Sequence, residues 1–129
     1  MRIQIIGAGT VGKATGEGFS RFGHSVVFCD IDKHKLLQLK REGFEVYEEP
    51  TSADLHFICV PEGVVEEVVN QLMDMKGLIV IRSTILPGTT VKLMKVFERH
   101  ICHNPEFLRA ATSVWDFLIP DRVVIGECC

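Results

Sequence analysis

The residues best suited to chemistry lie in the first thirty positions, where three glycines precede a carboxylate at a defined spacing. Gly7, Gly9 and Gly12 follow a short apolar run, and Asp30 closes a second apolar run eighteen residues after Gly12. Glycines at these positions permit a sharp turn, close approach of a pyrophosphate to the backbone and close packing of the next helix. An acidic side chain at that distance accepts hydrogen bonds from a ribose diol. The predicted cofactor contacts of this segment are Gly7, Gly9, Thr10, Val11, Gly12 and Asp30.

The acidic residue also bears on which dinucleotide is bound. A 2′-phosphate would face the Asp30 carboxylate, which favours NAD over NADP. Lys33, His34 and Lys35 follow closely enough to keep NADP open as the minority interpretation. A glycine turn without any ligand is the plain structural alternative. The strand before the turn, the helix after it and the acid at the right distance favour the nucleotide site.

Length and composition predict a single globular domain. The 129 residues are 47% hydrophobic and 24% charged, and no apolar run is long enough to cross a bilayer. A net charge of -3, with scattered basic residues, argues against a nucleic-acid surface. Because Met1 opens almost directly onto the first apolar run, we expect no secretion leader and a cytoplasmic location.

The five cysteines match neither a disulfide framework nor a zinc site, and no metal site is expected. Cys29, Cys59 and Cys102 end apolar runs, as small buried side chains do. Cys29 and Cys59 are expected to flank the first strand about 9.6 Å apart, beyond disulfide reach. Cys128 and Cys129 are interpreted as a frayed terminus in preference to a redox pair.

Short runs rich in Ile and Val alternate with helical patterns along the chain. Strands are predicted at 3–6, 25–29, 55–60, 78–81 and 123–125, with weaker candidates at 44–47 and 100–103. Helices are predicted at 11–22, 33–42, 64–73 and 90–99. The alternation predicts an α/β fold with a doubly wound, mostly parallel sheet of the Rossmann type, in three layers and one domain over 1–129. Ligands of such sheets bind beyond the carboxyl ends of the strands.

Two later segments carry a more specific signature than the glycine loop alone. They are RSTILPGTT at 82–90, and HNPEFLR at 103–109 followed by IPDRVVIG at 119–126. Together with the glycine loop they resemble the N-terminal, NAD-binding domain of the UDP-glucose/GDP-mannose dehydrogenase family, over nearly the whole chain. The resemblance implies NAD as cofactor. It also implies an activity in which the C6 alcohol of a nucleotide sugar is oxidised to a carboxylate in two NAD-dependent steps, through a cysteine thioester.

The same resemblance implies roles for individual residues. Gly7, Gly9, Gly12, Asp30 and Lys35 match positions that hold the pyrophosphate and the adenosine ribose. Thr84 matches a threonine beside the nicotinamide and the catalytic water, and Glu106 a glutamate at the nicotinamide and hydrolysis site; both are accessory catalytic roles. Val60 and Pro61 fall on the nicotinamide side, where this sequence departs from the family's threonine-proline turn. The residues that match the wall of the sugar-nucleotide pocket are Phe107, Leu108 and Arg109.

Each of the later motifs also has a plain structural interpretation. Asn104 is a suitable N-cap, Pro105 a suitable first helical residue, and Glu106 suits the positive end of a helix dipole. A simple turn at 87–88, with Thr89 capping the next helix, explains part of the other segment.

The family's catalytic cysteine, its oxyanion-stabilising lysine and asparagine, its dimerisation helix and its UDP-binding domain have no match within these residues. The sequence therefore favours an NAD(H)-binding part of a split or partnered oxidoreductase, which needs a second polypeptide to complete catalysis. A non-catalytic NAD(H) sensor, a relic that keeps only the fold, and a fragment of a longer dehydrogenase remain alternatives. The expected partners are NAD(H), a nucleotide sugar if a second domain is supplied, and a partner subunit or second copy. Neither nucleic acid nor membrane is expected.

Overall fold

Six parallel strands form one sheet in the computed structural model, which describes residues 1–126. The strands are β1 (Arg2–Ile6), β2 (Ser25–Cys29), β3 (Glu45–Tyr47), β4 (Leu55–Ile58), β5 (Leu78–Ile81) and β6 (Ile101–His103). Their order is β3-β2-β1-β4-β5-β6, and every neighbouring pair is parallel. Because the order reverses between β1 and β4, a crevice for ligands opens at the carboxyl ends of these two strands.

Helices connect most of the strands, as the alternating sequence pattern predicted. They are α1 (Thr10–Arg21), α2 (Lys33–Arg41), α3 (Glu62–Gln71) and α4 (Thr89–Phe97), followed after β6 by a 3-10 turn (Ala110–Thr112) and the short α5 (Ser113–Leu118). Most predicted elements are confirmed in place, with ends that differ by one or two residues, the usual uncertainty of helix and strand ends. The Rossmann-type fold is therefore confirmed.

Each face of the sheet carries its own hydrophobic core, because successive strand residues point to opposite sides. On the face covered by α1 and α2, Ile3, Ile5 and Phe28 pack with Leu39 of α2. The other face packs against α3 and α4 through the buried side chains Ile6, Ile58, Val65, Val69, Leu72, Ile79, Ile81 and Leu93. The two cores and the sheet between them make the three predicted layers.

A buried polar pair interrupts the second core at the amino ends of the strands. Gln4 of β1 and His56 of β4 are both 0% exposed. His56 Nε2 donates to the backbone oxygen of Lys76 at 2.8 Å. With the amide group of Gln4 oriented to satisfy its neighbours, its nitrogen donates to His56 Nδ1 at 2.9 Å and its oxygen accepts from Thr51 N at 2.8 Å. His56 is therefore held as a neutral imidazole.

The connection from β3 to β4 is short and contains no helix. It runs over residues 48–54 and is tied to the start of β1 by Arg2, whose Nε donates to Ser52 O at 3.1 Å. The guanidinium also binds both carboxylate oxygens of Glu45, at 3.0 and 2.8 Å. Hydrogen bonding to Arg2 lowers the pKa of Glu45 to about 2.

The strand predicted at 123–125 is wrong. These residues form no strand, and pairing is limited to an isolated antiparallel bridge between His103 and Gly126. Val123 and Ile125 are 65% and 63% exposed. The β-branched composition suits a strand, but pairing needs a neighbour in register, and the bridge supplies it at one residue only.

The helix start predicted at Asn104 is also wrong. Residues 104–109 are irregular, and helical structure begins at Ala110. The Asn104 amide does not cap a helix, because its Nδ2 donates to Val124 O at 2.8 Å and its Oδ1 accepts from Arg82. Thr89 likewise begins α4 and does not cap it, since the preceding position is Gly88 in a left-handed conformation.

Cys29 is buried as predicted, whereas Cys59 and Cys102, which were also expected to be buried, are half-buried. Cys29 ends β2 and Cys59 follows β4, on opposite sides of β1, and neither forms a disulfide. Cys128 and Cys129 lie outside the described residues. Over residues 1–126, no helix has both the length and the apolar character needed to span a membrane.

Candidate dinucleotide site and carboxyl-edge cavity

The glycine loop turns sharply from β1 into α1. Gly7 has a φ of +97°, a conformation that side chains with a Cβ rarely adopt, and its N–H donates to Cys29 O at 2.8 Å. A Cβ on Gly12 would lie 1.8 Å from the backbone oxygen of Gly7. Both positions therefore need glycine for the backbone itself, as the spacing predicted.

Gly9 differs from these two glycines because space is open above it. A Cβ built there meets no atom within 4 Å, and φ is an ordinary -76°. Gly9 is the N-cap of α1 without a side-chain cap, and the first turn holds no acidic residue. The first N–H groups of α1 and the positive end of its dipole thus face an opening that suits a pyrophosphate.

A cavity of about 460 Å³ lies beside this opening. It is lined by Ala8, Gly9, Thr10, Lys13, Ala14, Glu17, Lys35, Ser113 and Val114. The predicted contacts Gly9, Thr10 and Lys35 are brought together here. Lys13 is the basic residue that the sequence analysis missed, and it is held at 2.9 Å from Glu42.

The Asp30 carboxylate is fixed at the edge of the glycine loop. Its Oδ2 accepts from Ala8 N at 2.7 Å and its Oδ1 from Asp32 N at 2.8 Å. Asp32 in turn caps α2 by accepting from the backbone N–H groups of His34 and Lys35. Each Asp30 oxygen retains a lone pair for a further donor, so the carboxylate is oriented and still available to a hydroxyl group.

Ile31 was missed in the sequence analysis. Its side chain is 93% exposed directly after Asp30. A signal was present, because an isoleucine between two acidic residues lies outside both the strand pattern and the apolar stripe of α2.

The carboxyl ends of β4 and β5 are joined by Ser83, a second residue that was missed. Its Oγ accepts from Val60 N at 3.0 Å and donates to Val60 O at 2.5 Å. Pro61 then precedes α3, where Glu62 accepts from Leu86 N at 2.9 Å. Val60, Pro61 and Thr84 therefore come to one edge of the sheet, and Thr84 is exposed there.

A larger cavity of about 880 Å³ lies between the sheet, the 104–109 loop and α5. Glu106, Phe107, Leu108 and Arg109 line it, with Arg82 at its inner end. Glu106 Oε2 accepts from Leu108 N at 2.6 Å. Arg109 is bound to Asp116 at 2.6 Å, and this hydrogen bond holds the pKa of the Asp116 carboxyl well below its usual range. The predicted site residues thus lie in three places: the two cavities and the carboxyl edge of the sheet near Thr84.

The thiols near the site are not activated. Burial raises the pKa of Cys29 and of Cys59 to about 12, so both stay protonated at neutral pH. Within the described range 1–126, no group of three or more His, Cys, Asp or Glu side chains could hold a metal ion.

Sequence comparison identifies the family to which this arrangement belongs. The profile described as the NAD binding domain of the UDP-glucose/GDP-mannose dehydrogenase family matches residues 1–53 and 49–128. The chain belongs to this family. It is an NAD-binding domain, and its cofactor is NAD.

Curated relatives match the chain along almost its whole length. The UDP-glucose 6-dehydrogenase of Rickettsia conorii is 30% identical, over 98% of this chain and 39% of the relative. An uncharacterized protein of Methanocaldococcus jannaschii is 31% identical, over 98% of this chain and 18% of the relative. The chain therefore spans about two fifths or less of the length of these proteins.

Solved structures show the same fold. A ternary complex of the GDP-mannose dehydrogenase of Pseudomonas aeruginosa has a TM-score of 0.75 and 26% identity, covering 98% of this chain and 41% of that one. The UDP-N-acetyl-mannosamine dehydrogenase of Staphylococcus aureus has a TM-score of 0.87 at 19% identity, over 98% of this chain and 42% of that one.

The NAD-binding domain is shortened relative to its family. The two matched stretches meet at residues 49–53, within the connection from β3 to β4. The two alignments run over 166 and 168 positions, whereas the chain has 129 residues. The relatives therefore carry additional residues inside the matched region, and the short 48–54 connection is one place where this chain lacks them.

Proposed function

We propose that this NAD-binding domain is the cofactor-binding part of a split or partnered nucleotide-sugar oxidoreductase. The observation that carries the proposal is an open dinucleotide cradle at Gly9 and Asp30 in a chain that covers 39% of a UDP-glucose 6-dehydrogenase. The described domain, 1–126, contains the parts expected to hold NAD, and burial keeps the thiols of Cys29 and Cys59 protonated.

The adenosine half of NAD is assigned to the edge at β2. Asp30 would accept hydrogen bonds from the ribose hydroxyls, and Ile31 would offer its exposed side chain to the face of the base. The pyrophosphate would lie over Gly9, with Thr10, Val11 and Lys35 around it. Lys33 faces Glu48 at 3.6 Å, which leaves one basic side chain fewer for a 2′-phosphate and supports NAD over NADP.

The nicotinamide half is assigned to the carboxyl ends of β4 and β5. NAD supplies the hydride acceptor when it is bound there. Val60 and Pro61 would support the ring, and Thr84 and Glu106 would orient a substrate alcohol or a water molecule beside it. Ser83 supports this geometry, because it holds the Val60 turn by two hydrogen bonds.

The nucleotide sugar is assigned to the larger cavity, against Phe107, Leu108 and Arg109. Several apolar side chains around this cavity are exposed in the isolated chain: Phe107 is 49%, Trp115 63%, Ile119 71% and Ile125 63% exposed. Apolar surface of this kind is typical of protein interfaces. It supports a partner polypeptide that closes the cavity and supplies the missing thiol. A cytoplasmic location is part of this proposal, and neither Cys29 nor Cys59 forms a disulfide that a reducing compartment would break.

A chimera tests this function. This chain would replace the NAD-binding domain of the Rickettsia conorii UDP-glucose 6-dehydrogenase, and NADH formation from NAD and UDP-glucose would be followed by absorbance. We expect turnover that is lost when Glu106→Gln is introduced, with NADH binding retained. A chimera that folds and binds NADH but forms no NADH from NAD and UDP-glucose would contradict the catalytic proposal and favour a non-catalytic NAD(H) sensor.

A further inference from the structure

Arg82 is a buried cation that none of the roles above uses. It follows β5 directly, and its side chain is only 7% exposed. The ion pairs of residues 1–126 do not include it, and burial lowers the pKa of the guanidinium. The negative charge of Glu106 acts against this lowering but forms no ion pair with the guanidinium. A buried charge without an ion pair is costly, so its hydrogen bonds show what holds it in place.

One side of the guanidinium binds α1, the helix that follows the glycine loop. Arg82 Nε donates to Thr15 Oγ1 at 2.9 Å. The same hydroxyl donates to Val11 O at 2.7 Å, and Val11 lies in the first turn of α1, beside the opening at Gly9. Two consecutive hydrogen bonds therefore connect Arg82 to the backbone of the first turn of α1, next to the glycine loop.

The other side of the guanidinium binds the loop that carries Glu106. Arg82 Nη1 donates to the side-chain oxygen of Asn104 and, at 3.4 Å, to its backbone oxygen. The guanidinium carbon lies 5.4 Å from the ring centre of Phe117 in α5. The irregular 104–109 segment has no helix or sheet ladder of its own. These contacts help to hold it, together with Asn104 N, which donates to Ile81 O at 2.8 Å, and Arg109, which binds Asp116.

We propose that Arg82 is a positioning residue that couples α1 to the 104–109 loop, which carries Glu106. It sets the 104–109 loop at the distance from α1 that the nicotinamide half of NAD requires; this inference rests on the nicotinamide assignment made above. Arginine suits the task because its planar fork donates in two directions at once, whereas a lysine ammonium cannot span Thr15 and Asn104 with fixed geometry.

The coupling is tested by comparing two ligands on the full chain. NADH occupies both halves of the site, whereas ADP-ribose lacks the nicotinamide. Dissociation constants for both would be measured by calorimetry on Arg82→Met, Arg82→Lys and Thr15→Val, with the exposed Arg41→Met as matched control. Energy transfer from Trp115, the single tryptophan, to bound NADH reports separately on the position of α5.

We expect Arg82→Met to weaken NADH binding about tenfold, the effect of losing one or two net hydrogen bonds, and to leave ADP-ribose binding within about twofold. Arg82→Lys should restore only part of the NADH affinity. Thr15→Val breaks the link to α1 alone and should weaken NADH binding about threefold, so it tests the coupling even if Arg82→Met fails to fold.

Equal weakening of both ligands, or no change in either, would overturn the coupling. If the unmodified chain bound ADP-ribose and NADH equally well, the loop would have no nicotinamide-side role and the inference would fail. The chimera reports turnover independently of these binding ratios, so failure of the proposed function and failure of the coupling are distinguishable.

Discussion

Asp30 holds the glycine loop and, in the proposed site, would also select the cofactor. Its two oxygens accept from Ala8 N and Asp32 N, and with NAD bound as proposed the carboxylate would face the position of a 2′-phosphate. These two hydrogen bonds orient the carboxylate, and each oxygen retains a lone pair for a further donor. In the proposed site, one side chain would thus supply both loop geometry and discrimination between the two dinucleotides.

Asp30→Ala should weaken NAD binding by about 1.5 to 3 kcal/mol, the net value of hydrogen bonds to a charged group, and should narrow the preference over NADP. Calorimetric titration with both dinucleotides measures the change. Asp54→Ala is the matched control, since Asp54 also accepts a backbone N–H, from Arg2 at 2.8 Å, at the other edge of the sheet. An unchanged NAD affinity in Asp30→Ala would contradict the ribose assignment.

His56 should make the stability of the fold depend on pH. Burial lowers the pKa of this imidazole, so the unfolded chain binds a proton more readily than the folded chain does. Above about pH 6.5, the pKa of a histidine in the unfolded chain, this contribution to the free energy of unfolding is therefore fully present. Below that pH the free energy of unfolding should fall as pH decreases, by at most about 1.4 kcal/mol per pH unit.

Urea unfolding between pH 5 and pH 7 measures this dependence. His56→Gln should be less stable at neutral pH but show a shallower slope, whereas replacement of the exposed His100 by Gln should leave the slope unchanged. A slope that is the same in His56→Gln and in the unmodified chain would refute the assignment to His56.

Residues with a local role were the ones that the sequence predicted well. Gly7 and Gly12 are required by backbone geometry within the same turn, so their spacing was sufficient. Ser83 and Arg82 act through partners 22 to 67 positions away in the chain, and no local pattern reports such contacts. The interpretation of Asn104 as an N-cap was wrong for the same reason. Its side chain forms hydrogen bonds with Arg82 and Val124, which are distant in the sequence, and these outweigh its propensity to cap a helix.

Among the secondary-structure elements, α5 is a helix that its own length and burial stabilise very little. It has six residues and buries none of them fully. Its contact with α1 runs through Phe117, whose ring centre lies 5.0 Å from that of Phe19. Such a short helix is marginal in isolation, so tertiary packing holds it in place.

Phe117→Ala should therefore undock α5 without unfolding the sheet. We expect a loss of about 2 kcal/mol in the free energy of unfolding, less than for a fully buried phenylalanine. Hydrogen exchange should show faster exchange over 110–118 than over β1 and β4. The exposed Phe22→Ala, at the end of α1, is the control. Uniform loss of protection through the sheet would contradict a separately docked α5.

Element prediction succeeded where burial is two-sided and failed near the end of the described chain. The strands β1, β2, β4 and β5 are apolar runs that both cores enclose, so composition alone identified them. Residues 123–125 have strand composition but lie largely exposed beyond β6. This segment is held by the bridge from Gly126 to His103 and by the hydrogen bond from Asn104 Nδ2 to Val124 O, which composition does not encode.

For the whole molecule, the central feature is a complete cofactor cradle in a shortened domain. Relatives carry additional residues within the matched region, and the short 48–54 connection leaves the glycine loop, Asp30 and the switch between β1 and β4 intact. The geometry that binds a dinucleotide depends on these few elements. NAD binding should therefore be a property of this chain alone, whereas turnover should require a partner.

The most direct test is a calorimetric titration of Gly9→Val with NADH. The Cβ of Gly9 would enter open space, so the variant should fold with an unchanged Tm while its side chain occupies the pyrophosphate position. Gly63→Val is the control, because a Cβ there is equally unobstructed and Gly63 lies in α3, outside the glycine loop. We predict NADH binding to the unmodified chain and to Gly63→Val, and a loss of at least about tenfold in Gly9→Val. A folded Gly9→Val that binds NADH as tightly as the unmodified chain would contradict a cofactor bound over the glycine loop.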